Sequence, residues 1–66
     1  MKGKIKAEWR VQAGAWHDAF HSTEAHARKD AEEQRSARLL HRSGDAWRVV
    51  ETWKWHEWRM VDERLL

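Results

Sequence analysis

The chain has 66 residues, enough for one small domain with little volume for a hydrophobic core. Lysine and arginine number 13 against 11 aspartates and glutamates, so a net charge of +2 does not indicate a strongly cationic protein. The absence of cysteine excludes a disulfide framework, a cysteine-type zinc site and a thiol nucleophile. Small secreted domains usually depend on disulfides, and the lysine-rich start has no apolar signal region, so we expect a cytoplasmic protein.

Tryptophan is the most over-represented residue type, with six copies. Burying one aromatic side chain removes roughly 150–250 Å² from water. This burial argues against the disorder that a charged fraction of 36% would otherwise favour. Ordering a chain of this length opposes folding by on the order of 100 kcal/mol, so we expect a marginal monomer that self-association would stabilise.

The N-terminal part predicts a β-hairpin over about 4–20. Apolar residues from Ile5 to Val11 alternate strictly with charged or polar ones, a period of two that is typical of a strand with one solvated face. Ala13-Gly14 interrupts this alternation, and glycine supplies the positive φ that a tight hairpin turn requires. The alternation then resumes from Ala15 to Phe20.

The next segment predicts a helix over about 23–42. Ser22 and Thr23 offer N-cap hydroxyls, and residues that favour helices follow them. Ser43-Gly44, preceded by basic residues, is typical of a helix C-cap. Ala27 and Ala31 fall on one helix face, and such a small face suits a sheet that supplies large indoles.

The tryptophan-rich region, about 46–61, predicts extended structure. It begins as a strand at Trp47 and either bends at an unmarked hairpin near 54–56 or continues, ending as a fourth strand or a short C-terminal helix. In a continuous strand, side chains alternate between faces, so Trp47, Trp53 and Trp55 would lie on one face, and Trp58 and Met60 on the other. The predicted fold is a single α+β domain spanning 1–66, with a small antiparallel sheet in β-β-α-β order covered on one face by one helix.

The sequence contains no convincing catalytic or metal site. His17 and His21 are four residues apart on a predicted strand, which separates their backbones by about 13 Å, so we interpret them as solvated or capping histidines. The three glycines are scattered and form no phosphate-binding loop. We therefore predict a non-enzymatic protein without a cofactor or metal.

The surplus of tryptophan favours protein binding. Tryptophan is the residue type most enriched at binding hot spots, and methionine is also favoured at interfaces. The candidate partner-binding residues are Trp53, Trp55, Trp58 and Met60. A long aromatic strand at a sheet edge could also pair with a second copy of the chain, giving a homo-oligomer.

Nucleic-acid binding is the alternative, and we expect no membrane association. Sheets can present arginine and lysine to base edges, and tryptophans between cations suit stacking on unpaired bases. The candidate residues for this function lie on the charged face of the predicted sheet: Lys4, Lys6, Arg10 and Arg48.

The order of motifs resembles a known type of protein. The stretches that carry the resemblance are Glu8-Trp9-Arg10-Val11-Gln12, Ala15-Trp16-His17-Asp18, Ser22-Thr23-Glu24-Ala25 through Ala31, and Trp47-Arg48-Val49-Val50. They are similar to the small β-β-α-β proteins of bacteriophages and prophages, many of them accessory proteins of uncharacterised function. This resemblance implies a phage-encoded accessory factor that binds a host protein, for example a defence or replication component. The junction Phe20-His21-Ser22-Thr23-Glu24-Ala25 also resembles that of integrase arm-binding and plant ethylene-response DNA-binding domains.

Overall fold

The computed structural model describes residues 7–61, which form a five-stranded antiparallel sheet and one helix. The α+β class with one helix is therefore confirmed, but the chain order is β-β-α-β-β-β rather than β-β-α-β. Spatially the strands follow the order β2-β1-β3-β4-β5. The elements are β1 (Trp9–Ala13), β2 (His17–His21), α1 (Glu24–Glu32), β3 (Ser36–Ser43), β4 (Ala46–Lys54) and β5 (Glu57–Met60).

The first hairpin consists of β1 and β2, with Val11 opposite Ala19. Gly14 has a φ of +60° in the connecting turn, the conformation that the Ala13-Gly14 signal predicts. Residues 4–6 of the predicted hairpin lie outside the described residues.

The helix prediction over 23–42 is wrong at its C-terminal end. Thr23 is the N-cap and accepts a hydrogen bond from the backbone N–H of His26, as its hydroxyl suggests, but α1 ends at Glu32. The following segment is β3, the central strand, in which Leu39 pairs with both Val11 and Glu51. Burial of this strand between two neighbours outweighs the helix propensity of its residues. Gly44, with φ +62°, belongs to the β3–β4 turn and not to a helix C-cap.

The tryptophan-rich region is two strands joined by a turn at Trp55-His56, so the unmarked hairpin is the alternative that forms. The parity prediction is wrong for two reasons. Trp53 and Trp58 are directly opposite each other in this hairpin and therefore share a face. The register of β4 also shifts at Val50, because Leu39 pairs with Glu51 while Leu40 pairs with Val49. Such a bulge places Trp47 and Trp53 on opposite faces of the sheet.

The core lies between α1 and one face of the sheet. Ala27 and Ala31 are fully buried, which confirms their place on the packing face of the helix. Leu39 and Val11 are the largest fully buried side chains and face them from β3 and β1. The indoles of Trp9, Trp53 and Trp58 pack around this cluster, so large aromatic side chains compensate for a small-residue helix face.

Candidate functional site

Two turns and the loop after α1 meet at one end of the sheet, which we call the turn end. β1 and β4 are both antiparallel to β3, so they run in the same direction and their following turns lie at the same end. The turn end comprises residues 14–16, 33–35 and 55–56. Its two indoles are the most exposed tryptophans described, with Trp16 96% and Trp55 76% accessible.

The β4–β5 turn has an unusual backbone. Trp55 and His56 have φ values of +57° and +59°, and they are the only non-glycine residues with positive φ among residues 7–61. Two-residue hairpin turns with positive φ at both positions strongly prefer Asn-Gly, because glycine has no Cβ atom and asparagine tolerates the left-handed region, which disfavours other residues by roughly 1–2 kcal/mol each. The Lys54 ammonium lies 5.8 Å from the Trp55 ring centre, and the His56 ring contacts Trp53 edge-on.

Trp53 and Trp58, two of the predicted partner-binding residues, belong to the framework beneath this turn. Their ring centres are 5.3 Å apart, and both rings pack against the core. The Trp53 indole donates a hydrogen bond to the Gln34 carbonyl oxygen at 3.2 Å, and the Trp58 indole donates to the Glu32 carboxylate at 2.8 Å. These bonds attach the β4–β5 hairpin to the end of α1. Of the four predicted residues, Trp55 and Met60 are the ones with largely exposed side chains.

A cleft of about 540 Å³ separates the end of α1 from the β4–β5 turn, and its lining consists of Glu32, Glu33, Gln34, Arg35, Trp55 and His56. The Glu33 carboxylate has no hydrogen-bond or ion-pair partner among residues 7–61. The C-terminus of α1 adds the partial negative charge of a helix end. The cleft therefore combines an indole with two carboxylates against one guanidinium, that of Arg35.

The second candidate surface is the sheet face opposite the helix, which we call the open face. The register places five cations on it against two carboxylates: Arg10, Arg38, Arg42, Lys54 and Arg59 against Asp18 and Glu57. Phe20 and Trp47 reach each other across the intervening strands, with ring centres 5.6 Å apart, and the Arg10 guanidinium lies 4.8 and 5.6 Å from these two ring centres. The open face is thus cationic, with a small aromatic cluster on it.

The residues predicted for nucleic-acid binding do not share one surface. Arg10 lies on the open face, but it donates two hydrogen bonds to Asp18 at 2.7 and 2.6 Å and stacks over Phe20. The Arg10 guanidinium lowers the pKa of the Asp18 carboxyl below its usual value. Arg48 pairs with His41 and so belongs to the opposite face of the sheet. Lys4 and Lys6 lie outside the described residues.

The two predicted solvated histidines in fact converge on one carboxylate. Nε2 of His17 and Nε2 of His21 lie 3.0 and 2.8 Å from the same oxygen of Asp30 on α1, whose side chain is 14% exposed. Gln34 donates a hydrogen bond to the other carboxylate oxygen at 3.3 Å. Burial alone would raise the pKa of Asp30, but the hydrogen bonds from both histidines outweigh it and lower the pKa. This cluster joins the edge strand β2 to the helix.

The predicted pairing of two copies through the tryptophan-rich strand also meets an obstacle. From Glu51 to Lys54, β4 has β3 on one side and β5 on the other, so its backbone hydrogen bonds are made within the chain. The outer strands of the described sheet are β2 and β5. A second copy would therefore have to pair with one of these short strands or with residues 46–49 of β4, which have only β3 as a described strand neighbour.

Within residues 7–61, no group of three or more His, Asp or Glu side chains has an arrangement that could hold a metal ion. The described helix is too short and too polar to cross a bilayer. No family model, curated protein or solved structure matches the chain.

Two features of the site escape sequence reasoning. The cluster on Asp30 depends on how β2 packs against α1, although the alternation of His17, Ala19 and His21 already places both histidines on one strand face. The acidic cleft depends on where α1 ends. A prediction that ended the helix at Glu32 instead of near residue 42 would have placed Glu33 in a loop beside the hairpin.

Proposed function

We propose that this chain is a non-enzymatic protein-binding module whose main anchor is Trp55 at the turn end. The supporting observation is that the hairpin carries an exposed indole at a backbone position that favours asparagine or glycine. Unfavourable backbone conformations tend to persist where function requires them. A large, rigid aromatic side chain that protrudes from a well-anchored hairpin has the properties of a binding hot spot.

The rest of the turn end supports the same role. Trp53 and Trp58 hold the hairpin against α1, so Trp55 would meet a partner on a rigid support, which limits the entropy lost on binding. Trp16 in the first turn adds exposed apolar area at this end, and Met60 adds more at the far end of β5. We further propose that the chain is a phage-encoded accessory factor acting on a host protein in the host cytoplasm. That part rests on the resemblance of its motif order to small phage proteins.

The decisive experiment replaces Trp55-His56 by Asn-Gly, the W55N/H56G variant. We expect it to lose the protein that the wild-type chain captures from host lysate, while remaining folded, because Asn-Gly fits the turn better. Asp45→Asn at the opposite hairpin tip is the control, and it should capture the same protein as the wild type. If W55N/H56G captures this protein as well as the wild type does, Trp55 is not the anchor.

Nucleic-acid binding through the open face is the second candidate, favoured by the excess of cations there. Arg38 is its best-placed residue, because it is exposed on the central strand between Gln12 and Thr52. The same capture experiment separates the two functions. Binding that disappears after nuclease treatment and weakens log-linearly with salt would favour the open face over the turn end.

A further inference from the structure

We propose that the cleft beside Trp55 receives an arginine side chain of the partner, an inference that rests on the proposed function and specifies the chemistry of its ligand. The cleft volume of about 540 Å³ lies within the range of small-ligand sites. Arginine is the side chain that both stacks on an aromatic ring and bonds a carboxylate through a planar fork.

Charge favours this occupant. Two carboxylates, those of Glu32 and Glu33, line the cleft, and the C-terminal end of α1 adds to their negative potential. Arg35 also lines it but forms no ion pair with either carboxylate in the described part of the chain. The internal cation therefore leaves Glu33 available to a partner.

The chain already uses this combination of groups twice. The Arg28 guanidinium lies 4.7 Å from the Trp58 ring centre and donates a hydrogen bond to the Glu51 carboxylate. This hydrogen bond raises the pKa of Arg28 and outweighs burial, which lowers it. Arg10 stacks over Phe20 in the same way while it bonds Asp18.

The cleft assembles a third aromatic ring and carboxylate, Trp55 and Glu33. Among residues 7–61, no guanidinium lies over Trp55, and its neighbour Lys54 does not line the cleft. An arginine from outside would complete the arrangement.

The test uses a short synthetic peptide that contains two arginines, and the same peptide with neutral citrulline in both places. Binding is followed through the indole N–H signal of Trp55 in two-dimensional NMR spectra of the full chain. We expect a saturable shift with the arginine peptide and none with the citrulline peptide. Equal shifts with both peptides, or no saturable shift with either, would overturn the proposal.

Glu33→Gln removes the charge but keeps the size of the side chain, and the Glu33 side chain makes no hydrogen bond or ion pair within residues 7–61. This variant should bind the arginine peptide about two- to five-fold more weakly, as expected for one exposed ion pair. Asp45→Asn, which removes a carboxylate at the other end of the sheet, should bind like the wild type. Unchanged affinity in Glu33→Gln contradicts the arginine site.

The two proposals fail in different ways. If W55N/H56G loses the host protein while Glu33→Gln retains it at wild-type affinity, Trp55 is the anchor but the partner does not use an arginine in the cleft. If W55N/H56G also retains the host protein, the proposed function itself is wrong.

Discussion

In this small chain, single residues make contacts between elements that a larger domain would distribute over many residues. Asp30 is the clearest example, because one of its oxygens lies within hydrogen-bond distance of two histidines from the edge strand. β2 has only β1 as a strand neighbour in the described sheet. Its attachment to the helix therefore depends strongly on this carboxylate.

Asp30→Asn should lower the free energy of unfolding at pH 7 by about 1–3 kcal/mol, because a charged acceptor in a mostly buried position is lost. The folded-state pKa of Asp30 is lowered, so its contribution is fully present above the unfolded value of about 4 and is lost as the pH falls through the folded value. Urea unfolding of both proteins between pH 7 and pH 2 measures this difference.

The difference between the wild type and Asp30→Asn should narrow below about pH 4. Asp45→Asn serves as the control, since Asp45 is exposed and its carboxylate has no partner within residues 7–61. A difference that stays constant down to pH 2 would show that ionisation of Asp30 does not stabilise the fold.

Among the elements, the β4–β5 hairpin combines a firm attachment with an unfavourable turn. Trp53 and Trp58 stack on each other and donate hydrogen bonds to the end of α1. These contacts keep the strands paired although both turn residues have positive φ. The hairpin is therefore more stable than its turn sequence indicates.

W55N/H56G should raise the free energy of unfolding by about 1–2 kcal/mol, because asparagine tolerates the left-handed region better than tryptophan and glycine has no Cβ atom. In a domain of this size, such a gain corresponds to an increase in Tm of several degrees. Thermal unfolding followed by circular dichroism measures it.

The matched control is Gly44→Ala in the β3–β4 turn, where φ is +62° and a Cβ atom would meet nothing within 4 Å. This substitution introduces the strain that W55N/H56G removes, so Tm should fall. A decrease of Tm in W55N/H56G would mean that contacts of Trp55 and His56 outweigh the strain of the turn.

The sequence predicted elements where the local pattern and the tertiary environment agree. The first hairpin, the Thr23 cap and the buried Ala27 and Ala31 all depend on short-range signals that the fold leaves intact. β3 was not predicted because a glycine such as Gly44, with positive φ, is equally typical of a helix end and of a hairpin turn. Alternation in β3, with Leu39 and His41 on one side of the strand and Leu40 on the other, was the available signal.

At the level of the whole molecule, one thin layer of side chains supports the fold. Among residues 7–61, the core cluster contains five buried residues, three of which are alanines. Leu39 therefore supplies a large share of the buried apolar volume at the centre of the sheet. Such a domain has little stability to spare.

Leu39→Ala should lower the free energy of unfolding by about 2–5 kcal/mol, enough to unfold much of the population at 25 °C. Met60→Ala is the comparison, because Met60 is 84% exposed and its truncation should change stability by less than about 0.5 kcal/mol. Chemical denaturation of both variants measures these changes. Similar stabilities for the two would mean that the layer beneath α1 is not the main source of stability.

The candidate site was partly predictable from the amino-acid composition. Composition pointed to the tryptophans between 53 and 58, and Trp55 does protrude from the turn end. Composition could not divide them into framework and exposed residues, because that division depends on the hairpin pairing of Trp53 with Trp58. Arg48 was misplaced for a similar reason, since its face is set by its pairing with His41.

The bulge at Val50 lets the two surfaces of the sheet tolerate a change of one residue in chain length. Residues before it keep the face that pairing with β3 gives them, while Glu51 and Trp53 follow a register shifted by one. Loss of Val50, with both ends of β4 held in place, would put the pairs Leu39–Glu51 and Leu40–Val49 next to each other in a regular ladder, so Trp47 and Trp53 would keep their opposite faces. A three-nucleotide deletion at this position would thus leave the Trp47 ring on the open face and Arg48 on the other, an evolutionary route that removes the bulge without exchanging the two surfaces.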